Sequence, residues 1–260
     1  MCFTVAIMRN GKLISAEEYY ASLPPVKKKK AILPQLPFHN LVSGFTHPGL
    51  PIVTEDGLVI SKWGLIPSWV KDQKTADDIR SKTLNAVGET VFEKPSFRKS
   101  IATQRCLFPA SGFYEWQEFK GVKYPYYIQL ADKDYFSLGS IYDTWIDQQT
   151  GEILNTFSII TTPANPLMEK IHNLKKRMPL ILSQDDEMKW LDPDLKTDRI
   201  KELIKPFPES KMTAYTISRD ANNARNNRDV PGIQKRVEYP ELLEAEKDLK
   251  IKKDTIATLM

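Results

Sequence analysis

Cys2 follows Met1 directly, in Met1-Cys2-Phe3-Thr4-Val5-Ala6. Cysteine is small enough for the initiator methionine to be removed, which leaves a cysteine carrying a free α-amine. Amine and thiol then sit on adjacent carbons. Such a 1,2-aminothiol attacks one aldehyde twice: the amine forms an imine, and the thiolate closes a five-membered thiazolidine ring. The thiolate is the reactive form, and a nearby ammonium lowers the thiol pKa. From position alone, an apolar residue at the start of a strand is the simpler account of Cys2. Two further residues have the right chemistry to assist it. Glu115 lies between Tyr114 and Trp116 in an apolar, aromatic stretch. Desolvation there raises a carboxylate pKa and suits it to proton transfer near neutrality. Strand alternation offers the plainer alternative of a glutamate facing water. His172 ends a short amphipathic segment, and histidine is the side chain that titrates most readily near physiological pH. Taken alone, a structural histidine accounts for it as well.

The elements that must position these residues are mostly strands. Residues 2–9 read as a strand, closed by a turn at Asn10-Gly11. Ser15 with Glu17 and Glu18 caps a helix that Pro24-Pro25 ends. Residues 34–53 are rich in proline and glycine and read as extended loop, with His39 and His47 as polar loop residues. Residues 57–63 form a strand that runs into Trp63-Gly64-Leu65-Ile66-Pro67-Ser68-Trp69, where Gly and Pro place two tryptophans on a loop. Residues 75–82 form a short helix. From residue 101 the chain turns strongly β through 101–116, 123–130, 135–145 and 154–162, enough strands for a sheet or barrel. A short helix at 166–173, a buried strand at 179–182, helices over 183–191 and 196–205, and a strand at 212–218 complete the pattern. The fold class is α+β: one domain, with a mostly antiparallel, barrel-like β core flanked by short helices. The domain is expected to span 2–230, and 231–260 is a charged extension expected to carry no chemistry.

Composition narrows the function classes. The 260 residues are 41% hydrophobic and 27% charged, which excludes a wholly disordered chain. Two cysteines in this length suggest no disulfide framework and a reducing compartment. No apolar run approaches the roughly 18 residues of a membrane helix, and the start of the sequence does not read as a secretory signal. The protein is expected to be cytoplasmic or nucleoid-associated. A net charge of +4 permits a polyanionic partner without demanding one. The four lysines at 27–30 form the one dense basic run and read first as a solvated loop.

The block from Arg105 to Trp116, with its P.SGFYEW core, resembles the SRAP family, the SOS response-associated peptidase or abasic-site processing proteins. The other matches fall in the family's order: Cys2 after Met1, WGLIPSW at 63–69, NA..ET at 85–90, TT.AN at 161–165, and Ile171-His172 with Arg177-Met178-Pro179. Together they span about residues 2–230. The resemblance implies binding to single-stranded DNA that contains an abasic site, followed by covalent attachment through Cys2. The ring-opened abasic sugar exposes an aldehyde, which is the group a 1,2-aminothiol captures. It further implies strand cleavage by β-elimination and a self-processing peptidase step, in its simplest form the loss of Met1. No cofactor, metal or membrane is implied, and a monomer is expected.

Residue roles follow from the same resemblance. Asn85 matches the family's active-site asparagine, whose amide can hold the Cys2 amine and the sugar in register. Glu115 would shuttle protons during imine formation and ring closure. His172 would act as acid–base beside the sugar and its 3′ phosphate. Arg177 would contact backbone phosphate, with Arg105 a weaker candidate for the same channel. Trp63 and Trp69 would stack on bases or wedge them apart. Three departures stand out. Phe3-Thr4 follows Cys2 where the family commonly has Gly-Arg. Val87 stands where it has a phosphate-binding arginine. Residues 173–176 (Asn-Leu-Lys-Lys) fill what is usually a one-residue gap, adding two lysines beside His172. Two competing readings remain on sequence alone: an amidohydrolase using Cys2 as an N-terminal nucleophile, and a non-enzymatic single-strand binding module built on the tryptophans and basic residues.

Overall fold

The computed structural model describes residues 2–7 and 39–242. The turn expected at Asn10-Gly11, the helix begun at Ser15, the lysines at 27–30 and the C-terminal stretch from 243 onward lie outside the described residues. Five strands close into a ring: β3 (Gly49–Thr54), β4 (Gly57–Trp63), β6 (Arg105–Ala110), β9 (Phe136–Ile146) and β10 (Ile153–Pro163). Their pairings run β10–β4, β4–β3, β3–β6, β6–β9 and β9–β10, and only β10–β4 is parallel. The expected antiparallel, barrel-like core is therefore present as a closed five-stranded barrel.

A second, wholly antiparallel sheet runs β13 (Met212–Thr216), β8 (Val122–Leu130), β7 (Gly112–Phe119), β1 (Thr4–Ala6) and β2 (Val42–Ser43). Short helices flank the sheets: α1 (Gln73–Lys82), α2 (Arg98–Thr103), α3 (Pro166–Ile171), α4 (Gln184–Leu191) and α5 (Thr197–Leu203). Asp72 caps α1 by accepting from Thr75 N, and Asn165 caps α3 by accepting from Met168 N with Pro166 in the first turn. Three small strands complete the set, β5 (Asn85–Val87), β11 (Arg177–Pro179) and β12 (Ile181–Leu182). Among the described residues no helix is long and apolar enough to cross a membrane.

β10 is buried from Thr156 to Thr162 on both faces, as expected of a strand with neighbours on each edge. The aromatic centre of the core is Trp63, Phe108 and Phe157, with ring centroids 6.4, 6.1 and 5.5 Å apart. Trp63 is fully buried, and its indole N–H donates to Leu84 O at 2.8 Å. This corrects the expectation that Trp63 stacks on bases, because its ring presents no face to the outside. Trp69, on the loop that follows β4, is 52% exposed and keeps that capacity.

Arg105 is corrected for a similar reason. It is buried, and its guanidinium donates to the carbonyls of Ile101, Ala102, Trp190 and Asp192. These are the carbonyls at the C-terminal ends of α2 and α4, which have no partner within their own helices. Arg105 thus caps two helices from inside. It also explains why 98–103 is helical where the sequence reads as the start of a strand.

Residues 49–54 form β3 rather than the expected extended loop. Pro51 lacks an N–H, and β3 meets β6 in register only at Val53↔Leu107, so the ladder makes no demand on Pro51 from that side. Packing also continues past residue 230. Ile233 is buried, Gln234 Nε2 donates to Asn40 O at 3.1 Å, and Arg236 bridges to Ile217.

The two tryptophans separate in a stability measurement. Trp63→Ala should cost about 3–5 kcal/mol through the cavity it opens. Trp69→Ala should stay within about 0.5 kcal/mol, as surface changes do. Urea unfolding of both variants beside the native protein checks this.

Candidate active site

β1 lies antiparallel to β7 with Val5↔Phe113 and Ala6↔Gly112 in register. Gly112 leaves room for a ring of the neighbouring strand: a Cβ there would fall 2.4 Å from Tyr127 on β8. Counting back along both strands brings Phe3 and Cys2 abreast of Glu115 and Trp116. Cys2 is fully buried, with Sγ 3.9 Å from Thr4 O. Burial, and after it the charge of Glu115, push its thiol well above the usual range. Glu115 is buried too, and desolvation pushes its carboxyl up to about 8. The expected rise is present, and the alternative of a solvated outward glutamate is excluded by its 3% exposure.

His172 is the residue at which α3 ends; its N–H still bonds to Met168 O at 2.7 Å. Its Nδ1 lies 2.9 Å from Arg177 O. A carbonyl only accepts, so Nδ1 carries the proton and, in the neutral ring, the lone pair is on Nε2. Burial pushes the imidazole down to about 4. Glu115 Oε1 is 3.7 Å from Nδ1, near enough for an ion pair. The opposite shifts make both groups neutral at pH 7, so the contact is an acid beside a base rather than a salt bridge.

Asn85 opens β5, held by β10 through Ile159↔Asn85. Leu84, just before it, accepts from the Trp63 indole and from Ile159 N. Trp63 therefore steadies the asparagine from behind. The Asn85 side chain is buried, yet neither Oδ1 nor Nδ2 has a hydrogen-bond partner among the described residues. A buried unpartnered amide costs about 1–3 kcal/mol, a cost that a bound polar group would remove. Leu84 and Ile159 pack in the same cluster as Cys2. Cys2, Glu115 and His172 are thus brought together directly, and the neighbours of Asn85 belong to the same core cluster as Cys2.

A cleft of about 410 Å³ opens onto the Glu115–His172 pair. Glu115 and His172 line it together with Phe3 and Trp116, and Lys123, Lys175 and Arg228 bring positive charge to its walls. Lys175 belongs to the 173–176 insertion. The insertion is pinned to β7: Asn173 Nδ2 donates to Glu118 O at 2.7 Å and Asn173 Oδ1 accepts from Glu118 N at 3.1 Å. Lys123 enters because β7 and β8 pair Glu118↔Lys123, and Arg228 comes from a distant loop. Neither follows from local sequence; only the 173–176 insertion was visible there. Arg177 lies apart from this set. Its guanidinium closes on the Glu89 carboxylate and on Thr161 O, with Nη2 2.8 Å from Glu89 Oε2. A phosphate contact at Arg177 would have to compete with Glu89. Among the described residues no group of three or more His, Cys, Asp or Glu side chains could hold a metal ion.

A second-position cysteine thus lies beside a buried carboxyl and a neutral imidazole on an α+β barrel. The sequence profile of the SOS response associated peptidase (SRAP) family matches residues 1–224, and the chain belongs to that family. The abasic site processing protein YoqW of Bacillus subtilis is 41% identical over 168 residues, 64% of this chain and 71% of the relative. The abasic site processing protein HMCES of Xenopus tropicalis is 32% identical over 194 residues, 67% of this chain and 56% of the relative. A crystal structure of a Bacteroides thetaiotaomicron protein superposes with a TM-score of 0.79 at 40% identity, covering 91% of this chain and all of the other.

The Glu115 environment sets a measurable pH dependence. The folded carboxyl titrates near 8 and the unfolded one near 4.5. Its contribution to stability is complete below 4.5 and is lost as pH rises toward 8, because only the unfolded chain gains from ionising in that window. Glu115→Gln removes the titration. The stability of Glu115→Gln relative to the native protein should therefore climb between those limits, by up to about 1.4 kcal/mol per pH unit. Denaturant titrations at pH 4.5, 6 and 8 test it, and a difference that is flat with pH would refute the buried neutral acid.

Proposed function

We propose that this protein processes abasic sites in single-stranded DNA by capturing the sugar aldehyde on Cys2. The observation that carries this reading is the neutral acid–base pair, Glu115 and His172, beside a cysteine one residue from Met1. The names of the relatives support the same substrate. The reading requires the mature chain to begin at Cys2.

The amine of Cys2 adds to C1′ of the ring-opened sugar and gives a carbinolamine. Protonated Glu115 donates its proton to the departing hydroxyl, so water leaves and a protonated imine remains. The cysteine thiol then gives up its proton to the Glu115 carboxylate and sulfur attacks C1′. The product is a thiazolidine, and the sum is aldehyde plus aminothiol giving ring plus one water. Proton return through Glu115 matters because burial otherwise keeps the thiol protonated. The Asn85 amide pairs with the Cys2 amine and the sugar. Nε2 of His172 serves as the base that removes a C2′ proton from the imine, which expels the 3′ phosphate and cleaves the strand by β-elimination. Hydrolytic removal of Met1 is the peptidase step of this scheme. Lys123, Lys175 and Arg228 hold flanking phosphates, and Trp69 offers a face for an unpaired base.

Intact mass should show a chain lacking Met1. Mixed with an abasic single-stranded oligonucleotide, it should give an adduct that survives denaturation, with the mass of the two components less one water. Cys2→Ala should abolish that adduct. Glu115→Gln should slow its formation about 100-fold or more. The native rate should fall above pH 8 as Glu115 loses its proton, and the Glu115→Gln variant should lack that limb. A native protein that carries Met1 or forms no adduct refutes the reading.

A further inference from the structure

The aromatic surface beside the cleft is not the one the tryptophan motif suggests. Phe45 is 64% exposed, in the single 3₁₀ turn Gly44–Thr46. Its ring centroid lies 4.9 Å from that of Phe3, at an interplanar angle of 40°. Phe3 lines the same cleft as Glu115 and His172. It also follows Cys2 directly, so its ring is tied by one residue to the reacting amine and thiol.

The turn is built to hold Phe45 outward. Gly44 N donates to Phe3 O at 2.8 Å, which fastens the turn to the segment carrying Cys2. A Cβ at Gly44 would sit 2.9 Å from Trp63, so the backbone lies flat on that buried indole. The indole fills the space below the turn, and the next side chain has to face outward. Thr46 Oγ1 donates to Ser43 O at 2.9 Å, and His47, at φ 49°, turns the chain back with Nδ1 2.8 Å from Trp63 O. The Phe3–Phe45 pair is therefore a fixed apolar face continuous with the reaction cleft.

We propose that Phe3 and Phe45 form the stacking platform for the nucleobase next to the abasic sugar. This rests on the abasic-DNA reading given above. A base beside an abasic site has lost its neighbour on that side and exposes a π-face. Aromatic side chains accept such a face without regard to sequence, and one such contact is worth about 1–3 kcal/mol, or roughly 5- to 150-fold in affinity. The cations Lys123, Lys175 and Arg228 line the same cleft and match the phosphates on either side of that base. Trp63 acts on this platform from beneath, as the support of the turn.

The test uses single-stranded oligonucleotides with an unreactive tetrahydrofuran abasic analogue and 2-aminopurine beside it. The native protein should quench the 2-aminopurine on one side of the analogue. Phe45→Ala should lose that quenching and bind 5-fold or more weakly, with an unchanged slope of affinity against salt, because stacking releases no counterions. Phe45→Trp should restore both. Ile153→Ala, another change at a 64% exposed apolar residue, should alter neither. Native binding and quenching retained by Phe45→Ala, while the native protein still forms its adduct with a true abasic site, would overturn the platform alone. Failure of the native protein to form that adduct would overturn the functional reading with it.

Discussion

Strand β10 has neighbours on both edges along most of its length, and the site hangs from that double pairing. One edge takes β9 and then β11; the other takes β4 and then β5. The edges follow from residues with two partners, such as Ile159 between Ser140 and Asn85, and Thr161 between Pro179 and Val87. Closing the barrel therefore fixes Asn85 directly. It also fixes His172, because the chain leaves β10 at Pro163 and returns to the same residue at Arg177. Everything between is a closed loop. Ala164 N bonds Lys176 O at 3.0 Å, and the imidazole itself reaches across to Arg177 O. The second sheet then brings Cys2 and Glu115 from the opposite side through β1 and β7.

Burial acts on the acid and the base in opposite senses. It favours the neutral form of each, so it raises Glu115 and lowers His172. Near neutrality one holds a proton to give and the other a lone pair to receive one, which is the division of labour that the proposed chemistry needs. A charged pair in the same place would have to meet a desolvation penalty of several kcal/mol per ion. Nδ1, the imidazole nitrogen 3.7 Å from Glu115 Oε1, is already protonated and has no lone pair to take the Glu115 proton. His172 spends its own Nδ1 proton on Arg177 O, a backbone carbonyl whose place is set by the barrel.

Four of the five barrel strands, β4, β6, β9 and β10, were legible from their runs of β-branched and aromatic residues, and the motifs were legible from residue type and order. What pointed wrongly had a common cause. Trp63 ends β4 and Trp69 lies on the loop that follows it, and nothing in WGLIPSW says which ring turns inward. Only the Trp63–Phe108–Phe157 cluster decides it. Arg105 looks like a phosphate contact because an arginine near an active-site block usually faces solvent. Its four carbonyl partners come from helix ends up to 87 residues away. Pro51 and Gly49 discouraged a strand at 49–54 because the rule against proline concerns ladders on both sides, and β3 scarcely uses one of them. Lys123 and Arg228 reach the cleft through pairing and long connections, which leave no local signature.

The residues proposed for chemistry and those proposed for grip depend on different parts of the fold. Cys2, Asn85, Glu115 and His172 are buried and positioned by main-chain pairing, so a change in any of them would alter packing as well as reactivity. The cleft walls carry no such burden. Val87 occupies the place of a phosphate-binding arginine in the family pattern, and Arg177 is engaged by Glu89. Positive charge reaches the cleft instead from Lys123, Lys175 and Arg228, and an aromatic face from Phe3 and Phe45. Apart from Phe3, which adjoins Cys2, these side chains sit on a hairpin, an insertion, a loop and a turn, where exchange costs little stability. The barrel thereby constrains the proposed chemistry far more tightly than the proposed grip.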